Sequence, residues 1–257
     1  MMDERTKRHL DFHDTSRAMA AMEVDYPDGS STGLHAHPRG QLLYAIEGVM
    51  IVHSKVGSWV VPPNRAIWLL PDIEHEVRMH GDVKIRTVFI EPSVAPHLPD
   101  TNCVIAVSPL LRELIVAAAR IPLDYKEDGR DGRLMRLMLD ELHESDVLPL
   151  HLPIPDEARI KIICQALIDN PADASTAAQW GKRLGLTAKT VHRLFAKETA
   201  MSFAQWRQQA RLLRALQRIA GGDRIIDVAF DCGYASQSAF TAMFRRHFGM
   251  PPSEFYR

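Results

Sequence analysis

The C-terminal half of the chain repeats itself at a distance of about 49 residues. Trp180-Gly181-Lys182-Arg183-Leu184-Gly185-Leu186 leads through TAKTVHRLF to Phe195, and Trp206 follows 11 residues later. Val228-Ala229-Phe230-Asp231-Cys232-Gly233-Tyr234 leads through ASQSAFTAMF to Phe244, and Phe255 follows at 11. Apart from one extra residue in the second turn or helix start, the copies match. A repeat of this length is one supersecondary unit used twice.

Each copy has helix-turn-helix logic. A small residue, Gly181 or Ala229, lets two helices approach closely. Four positions on, Gly185 or Gly233 can take the positive φ of a tight turn, and Leu186 or Tyr234 then plugs the core. Thr187 and Ser236 are suited to cap the second helices. On 187–198 the buried stripe is Val191, Leu194 and Phe195, which leaves Lys189, His192, Arg193 and Lys197 on other faces. On 236–247 it is Ala239, Phe240, Met243 and Phe244, which leaves Gln237, Ser238, Thr241 and Arg245 outward. Cationic and hydrogen-bonding side chains on such faces can address base edges and phosphates in a major groove.

Between the copies, SFAQWRQQARLLRALQRIAGGD reads as one long helix stopped at Gly221-Gly222. It can hold two reading heads at fixed separation, ideally about one DNA turn, roughly 34 Å. Its Arg207, Arg211, Arg214 and Arg218 are placed either for phosphates or for the protein's own acidic groups. Charge points the same way as the repeat. Residues 151–257 hold 15 Lys and Arg against 9 Asp and Glu, a net of +6, whereas residues 1–150 hold 16 against 23, a net of −7. That contrast favours a polyanionic partner for the C-terminal part.

The N-terminal part has a different texture. From about Arg17 to Glu91, MAAMEVDYP, QLLYAIEGVMIVHS, GSWVVPP, RAIWLLP and VKIRTVFIEP are β-branched, aromatic or alternating, and turn residues punctuate them. Short strands without intervening helices predict an antiparallel barrel or sandwich able to enclose a small ligand. SPLLRELIVAAARI and GRDGRLMRLMLDELHES then read as amphipathic helices, suited to packing within the chain or to pairing with a second subunit. PLHLPIP, Pro149 to Pro155, reads as a linker, and DEARIKIICQALIDN as a helix. Three scattered cysteines with no CxxC pair indicate neither a disulfide framework nor a cysteine zinc site. The start, MMDERTKRHLDFHD, lacks the apolar core of a signal peptide, and no membrane span is visible, so a cytoplasmic protein is expected.

The C-terminal residues Asp156 to Arg257 resemble the AraC/XylS family of bacterial transcription regulators. In IIDVAFDCGYASQSAFTAMFRRHFGMPPSEFYR the I-x-x-V-A-x-x-x-G-Y, S-x-S-A-F, F-R-R-x-F-G and P-x-E-F elements fall together. Two positions depart from the family pattern. Gly181 stands where Ala is usual, and Ala200 replaces the glycine that the second copy keeps as Gly249. The resemblance implies base contacts from Lys189, His192 and Arg193 in the first copy and from Gln237, Ser238 and Thr241 in the second. Ala242 stands where many members have a longer polar residue.

Gly29-x5-His35-x-His37-x3-Gln41-x6-Gly48 is similar to the first cupin motif, with Gln in place of its Glu. A looser second motif begins at Gly57 and ends at Pro71-Asp72-Ile73-Glu74-His75. This resemblance implies a small β-barrel whose mouth gathers His35, His37, Gln41 and His75 as an effector site. Those residues fit a divalent metal held by the three histidines, a metal-free polar pocket, or a structural cluster. Trp59, Trp68 and Tyr44 are candidates to line the pocket or to pack the core.

The expected architecture is therefore α+β in two domains. A cupin-like antiparallel β-barrel spans 1–92, a helical connector with possible dimerisation helices and linker spans 93–155, and an all-α double helix-turn-helix domain spans 156–257. The expected function is an effector-responsive transcription regulator that binds operator DNA, is not an enzyme, and acts as a homodimer with RNA polymerase as a further partner. The family resemblance leans towards activation. The alternative is a metal-dependent cupin enzyme fused to DNA-binding helices, which the loss of the motif's glutamate disfavours.

Overall fold

The computed structural model describes residue 12 and residues 15–255. The charged N-terminal stretch expected to lack a signal peptide falls, apart from Phe12, outside the described residues, as do Tyr256 and Arg257. The chain separates into two compact units: one comprises residues up to Ser54 with Trp59–Leu150, the other Lys55–Ser58 with His151 onward.

The first unit is built on an antiparallel sheet. Its strands are β1 (Met19–Tyr26), β2 (Gly40–Ser54), β3 (Gly57–Val61), β4 (Arg65–Leu69), β5 (His75–Ile90), β6 (Cys103–Ala106) and β7 (Val147–Leu148). The strand order is β1-β5-β2-β4-β6-β7, with β3 pairing beside β2. The helices α1 (Pro109–Ala118) and α2 (Arg130–His143) cover one face of this sheet.

Alternation along β2 explains the two faces. Leu42 and Tyr44 point to one side, where they join Trp68, Val88 and Ile90 in a core closed by Leu111, Ile115 and Met138 of the two helices. Gln41 and Leu43 point to the other, towards an internal cavity. Both helices thus pack within the chain, as one reading of their amphipathic faces required. Met138 is fully buried there, and truncating it to Ala removes about 2–5 kcal/mol.

The long strands β2 and β5 pair from Gly40↔Ile90 to Ser54↔His75, with register shifts around Glu47. Gly48 sits in this bulge at φ 74°, and a Cβ there would lie 2.5 Å from the Asp82 carbonyl oxygen. Only glycine serves this close approach, and the bulge bends both strands at mid-length.

The second unit contains β8 (His151–Pro153), α3 (Ala158–Asp169), α4 (Ala177–Leu184), α5 (Ala188–Thr199), α6 (Phe203–Ala220), α7 (Ile225–Asp231) and α8 (Gln237–Phe248). The segment 149–155, expected as a linker, carries β8, and within the second unit the Ile154 N–H donates to the Val56 oxygen at 3.5 Å. Helix α6 is the long helix between the repeats and packs against α3, α5 and α7. Trp206 anchors it: the ring is fully buried and its Nε1–H donates to the Pro153 oxygen at 2.9 Å.

Both turns form as their glycines require. Gly185 and Gly233 adopt φ 67° and 77°, and Leu186 and Tyr234 donate their N–H to the carbonyls of Gly181 and Ala229 at 2.8 and 2.9 Å. Thr187 caps α5 by accepting from the Thr190 N–H, and Ser236 caps α8 by accepting from the Ala239 N–H. Ala239 itself is exposed, so the buried stripe of α8 is Phe240, Met243 and Phe244 without it. Ala239 lies in the first turn of α8, one residue before the fully buried Phe240.

Candidate functional site

The first candidate surface is formed by α5 and α8. Capping fixes where each helix begins, and the buried stripes fix which way each face turns. Lys189, His192, Arg193 and Lys197 are all exposed on α5, as are Gln237, Ser238 and Arg245 on α8. Thr241 is half-buried, with its neighbour Ala242 exposed. His192 lies edge-on to Phe203 at 6.4 Å between ring centroids, and Lys197 is 3.5 Å from Glu198. The surface pair leaves Lys197 largely in solvent.

The arginines of α6 are mostly committed inside the unit. Arg211 donates from Nε to the Pro171 oxygen at 2.6 Å and from Nη2 to the Asp173 oxygen at 3.3 Å. Arg207 donates to the Ser175 oxygen at 3.2 Å and stacks over Phe203. Arg218 holds Asp223 at 2.6 Å and also pairs with Asp231, tying the end of α6 to α7. Of these side chains, Arg218 takes the acidic partners that the sequence left open, whereas Arg207 and Arg211 are held by backbone carbonyls. Arg214 is exposed and donates to Gln217 at 3.3 Å, leaving it the α6 arginine most accessible to a phosphate.

The second candidate is the histidine cluster on the cavity side of the sheet. His35 and His75 form a doubly hydrogen-bonded antiparallel pair, N–H to oxygen at 3.0 and 2.8 Å, which turns both side chains to one face. His37, two residues along, shares that face. Potential ligand atoms of the three rings lie within 4.8 Å of one another. Gln41 joins them from β2, with its Oε1 2.9 Å from His37 Nε2 and its amide nitrogen donating to Thr87 Oγ1 at 3.1 Å. All four residues expected from the motif therefore come together.

Burial makes this an unusual place for polar groups. His75 is 0 % exposed, Gln41 2 % and His37 3 %, whereas His35 is partly open. Each ring has its Nδ1 against a backbone carbonyl: Gly33 for His35 at 2.9 Å, Arg39 for His37 at 2.7 Å, Ile73 for His75 at 2.8 Å. A carbonyl only accepts, so Nδ1 carries the proton and Nε2 keeps its lone pair in the neutral ring. Burial holds His75 down to about 4, with the neighbouring His35 and His37 adding to the effect and the Ile73 carbonyl opposing it. It also lowers His37, although Gln41 and the Arg39 carbonyl partly offset it.

The cavity beside this cluster is lined by residues such as Val24, Thr32, His35, Gln41, Leu43 and Thr87, and leaves only about 10 Å³ for the centre of a water-sized sphere. Tyr44 and Trp68 do not line it. Both belong to the opposite face, where Tyr44 donates to Asn64 and Trp68 to the Pro99 oxygen, and Trp59 is buried. Thr87 was not singled out by sequence reasoning; its alternate position in VKIRTVFI, on a buried strand, was the available signal.

Residues 18–146 match the AraC-like ligand binding domain, and residues 180–257 match a helix-turn-helix domain. The chain is 33 % identical over 228 residues to the HTH-type transcriptional regulator NimR of Escherichia coli K12, spanning 89 % of this chain and 83 % of NimR. It is 27 % identical over 220 residues to the regulator GadX of Escherichia coli O127:H6, spanning 84 % of this chain and 76 % of GadX. The HTH-type transcriptional activator RhaS of Escherichia fergusonii is 29 % identical over 99 residues, covering 38 % of this chain and 36 % of RhaS. Among the described residues no helix is long and apolar enough to cross a membrane. These relatives are regulators, which removes the enzyme alternative, and the chain belongs to the AraC family of DNA-binding transcription regulators.

Proposed function

We propose that this regulator reads operator DNA with both helix-turn-helix motifs and that a small effector acting at His35, His37, Gln41 and His75 adjusts that reading. The observation that carries the DNA part is the pair of capped helices whose exposed faces hold Lys189, His192, Arg193 and Lys197 on one and Gln237, Ser238 and Arg245 on the other. Thr241 lies at the margin of the second face. Side chains of these types recognise base edges and phosphates.

Coupling follows from linkage. If effector binding changes operator affinity by some factor, operator DNA changes effector affinity by the same factor. The protein works in the cytoplasm as a homodimer, with RNA polymerase as a further contact, and activation is the sign favoured by the similarity to RhaS, a transcriptional activator.

The test is a fluorescence-anisotropy titration on the DNA upstream of the chain's own gene, against scrambled DNA, at two salt concentrations. Preference for the upstream fragment at both salts is expected. Equal, weak binding that salt abolishes would reduce the interaction to phosphate contact.

A further inference from the structure

We infer that a groove on the helix-covered face of the first unit binds a small organic cation with an apolar body. The site goes beyond the effector position proposed above, lies on the other face of the sheet, and is tested without DNA, so the two stand or fall separately.

Helix spacing builds one wall. Met135, Leu139 and His143 follow one another along α2 at i, i+4 intervals and so form a single row. Met135 is buried in the core with Met19 of β1, Leu139 is half-buried against that core, and the short helical turn Pro92–Val94 supplies the facing wall. The two walls do not close. One end of the opening, about 450 Å³, runs between Met19, Tyr125, Met135 and Leu139; the other, about 570 Å³, runs between Val94, Leu98, Leu139 and His143. Val94, Leu139 and Asp140 line both ends, which makes them one continuous groove. Small-molecule sites have volumes of roughly 300–1,000 Å³ and mostly apolar walls, and each end meets both conditions.

Charge selects the occupant. The groove is lined by four carboxylates, Glu127, Asp140, Glu141 and Glu144, against one guanidinium, Arg136, and the imidazoles of His97 and His143. At the inner end the charges are already matched: Arg17 lies 3.7 Å from Glu127, and Arg136 donates to the Glu127 backbone oxygen at 2.8 Å. At the outer end Glu141 accepts from Ser108 Oγ at 3.3 Å and Glu144 meets His143 Nδ1 at 3.2 Å. Asp140, at the junction of the two ends, has no hydrogen bond or ion pair among the described residues. The last turn of α2 adds the negative end of its dipole.

Surplus negative charge between apolar walls excludes most other occupants. An anion is repelled, and a sugar leaves its hydroxyls without partners against Met135, Leu139 and Val94. An ammonium or amidinium on Asp140, with its hydrocarbon part laid over those three side chains, satisfies both the charge and the walls. A second copy of the chain would be drawn instead to Leu137, an exposed leucine of α2 that lines neither end.

The experiment titrates the full chain with phenylbutylammonium, phenylbutanol and phenylbutyrate, one shape in three charge states, and follows the isotope-labelled methionine methyl resonances by NMR. The ammonium is expected to shift Met19 and Met135 saturably, to leave Met201 and Met243 of the second unit in place, and to bind at least about 10-fold more tightly than the butyrate. Asp140 is exposed, so Asp140→Asn keeps the fold; it should weaken the ammonium about 10-fold and leave the alcohol unchanged. No saturable shift at Met19 and Met135, equal affinity for the three probes, or indifference to Asp140→Asn overturns the site. Shifts of Met135 that grow with protein concentration without any probe, together with a doubled sedimentation mass, assign the groove to a second copy and overturn it as well.

Discussion

Ala200 and Gly249 close α5 and α8 at corresponding positions, and both have left-handed backbone, φ 55° and φ 73°. The second copy uses the residue for which that conformation is free of strain, and the first does not. A Cβ in the left-handed region costs about 1–2 kcal/mol, part of which glycine gives back through its greater freedom in the unfolded chain. Ala200→Gly should therefore stabilise the protein by about 0.5–1 kcal/mol, read as a raised midpoint in urea with an unchanged slope. A lowered midpoint would show that Ala200 makes contacts outweighing its strain.

The other departure from the family pattern has the opposite sign. Gly181 is buried, and a Cβ there would lie 2.6 Å from the backbone oxygen of Leu186. Backbone cannot swing away as a side-chain tip can, so the clash outweighs the roughly 1 kcal/mol that Ala gains in a helix interior. Gly181→Ala is expected to destabilise by about 1–2 kcal/mol. Ala229→Gly, at the matching place in the second copy, should cost about 1 kcal/mol for the ordinary helical reason. Stabilisation by Gly181→Ala in thermal unfolding would refute the tight-turn account.

Repeat and periodicity made the second unit legible, because its helices are punctuated by glycines and caps that act locally. Ala239 is exposed although it shares the spacing of the buried stripe, since spacing alone does not say where that stripe begins. The sheet was legible in its strongest strands and not in β6, β7 and β8, which are two to four residues long and exist by pairing rather than by propensity. β5 begins at His75, earlier than its apolar core VKIRTVFI suggests. The polar stretch EHEVRMHGD is held by the outer half of β2, a partner distant in sequence. The histidine site was visible because its motif spaces His35, His37 and Gln41 along one short stretch of sequence, although His35 forms only an isolated bridge and His37 lies in no strand, whereas Thr87 and the carbonyls that orient the rings are contributions of tertiary structure.

On the DNA surface, two kinds of contact should separate. Arg193→Ala and Gln237→Ala are expected to cost about 1–3 kcal/mol on the cognate operator and to relax discrimination at one position each. Lys197→Ala should weaken all sequences nearly equally and reduce the salt slope by about one ion. Anisotropy against single-mismatch operators distinguishes them. Unchanged discrimination in Arg193→Ala would move that side chain from base to phosphate.

Arg211 offers a control for charge as such. It is pinned on the carbonyls of Pro171 and Asp173, and its guanidinium lies within 2.8 Å of where a Cβ on Gly233 would stand. The side chain therefore staples the second turn to the loop before α4. Arg211→Ala should lower stability by about 1–3 kcal/mol, as loss of a half-buried, charge-assisted pair of bonds does, while the salt slope of DNA binding stays the same. A slope that falls by one would instead assign Arg211 to a phosphate.

Acid should weaken the second unit through His151. Burial lowers the ring's affinity for protons below its ordinary 6.5, and a hydrogen bond with the Val56 backbone opposes this only in part. The folded state consequently stays neutral at pH values where the unfolded chain has already taken up a proton. Stability rises with pH wherever the unfolded state binds more protons, so this contribution is complete above about 6.5 and is lost as pH falls towards the folded value. Gly57 makes the burial possible, since a Cβ there would lie 2.1 Å from His151 Nε2. Thermal unfolding of the wild type and of His151→Gln, which keeps a hydrogen-bonding side chain but does not titrate, checks the sign. The wild type should lose more stability than the variant between pH 7.5 and 5.5. Parallel profiles would mean that the ring is hydrated when folded and contributes nothing to acid sensitivity.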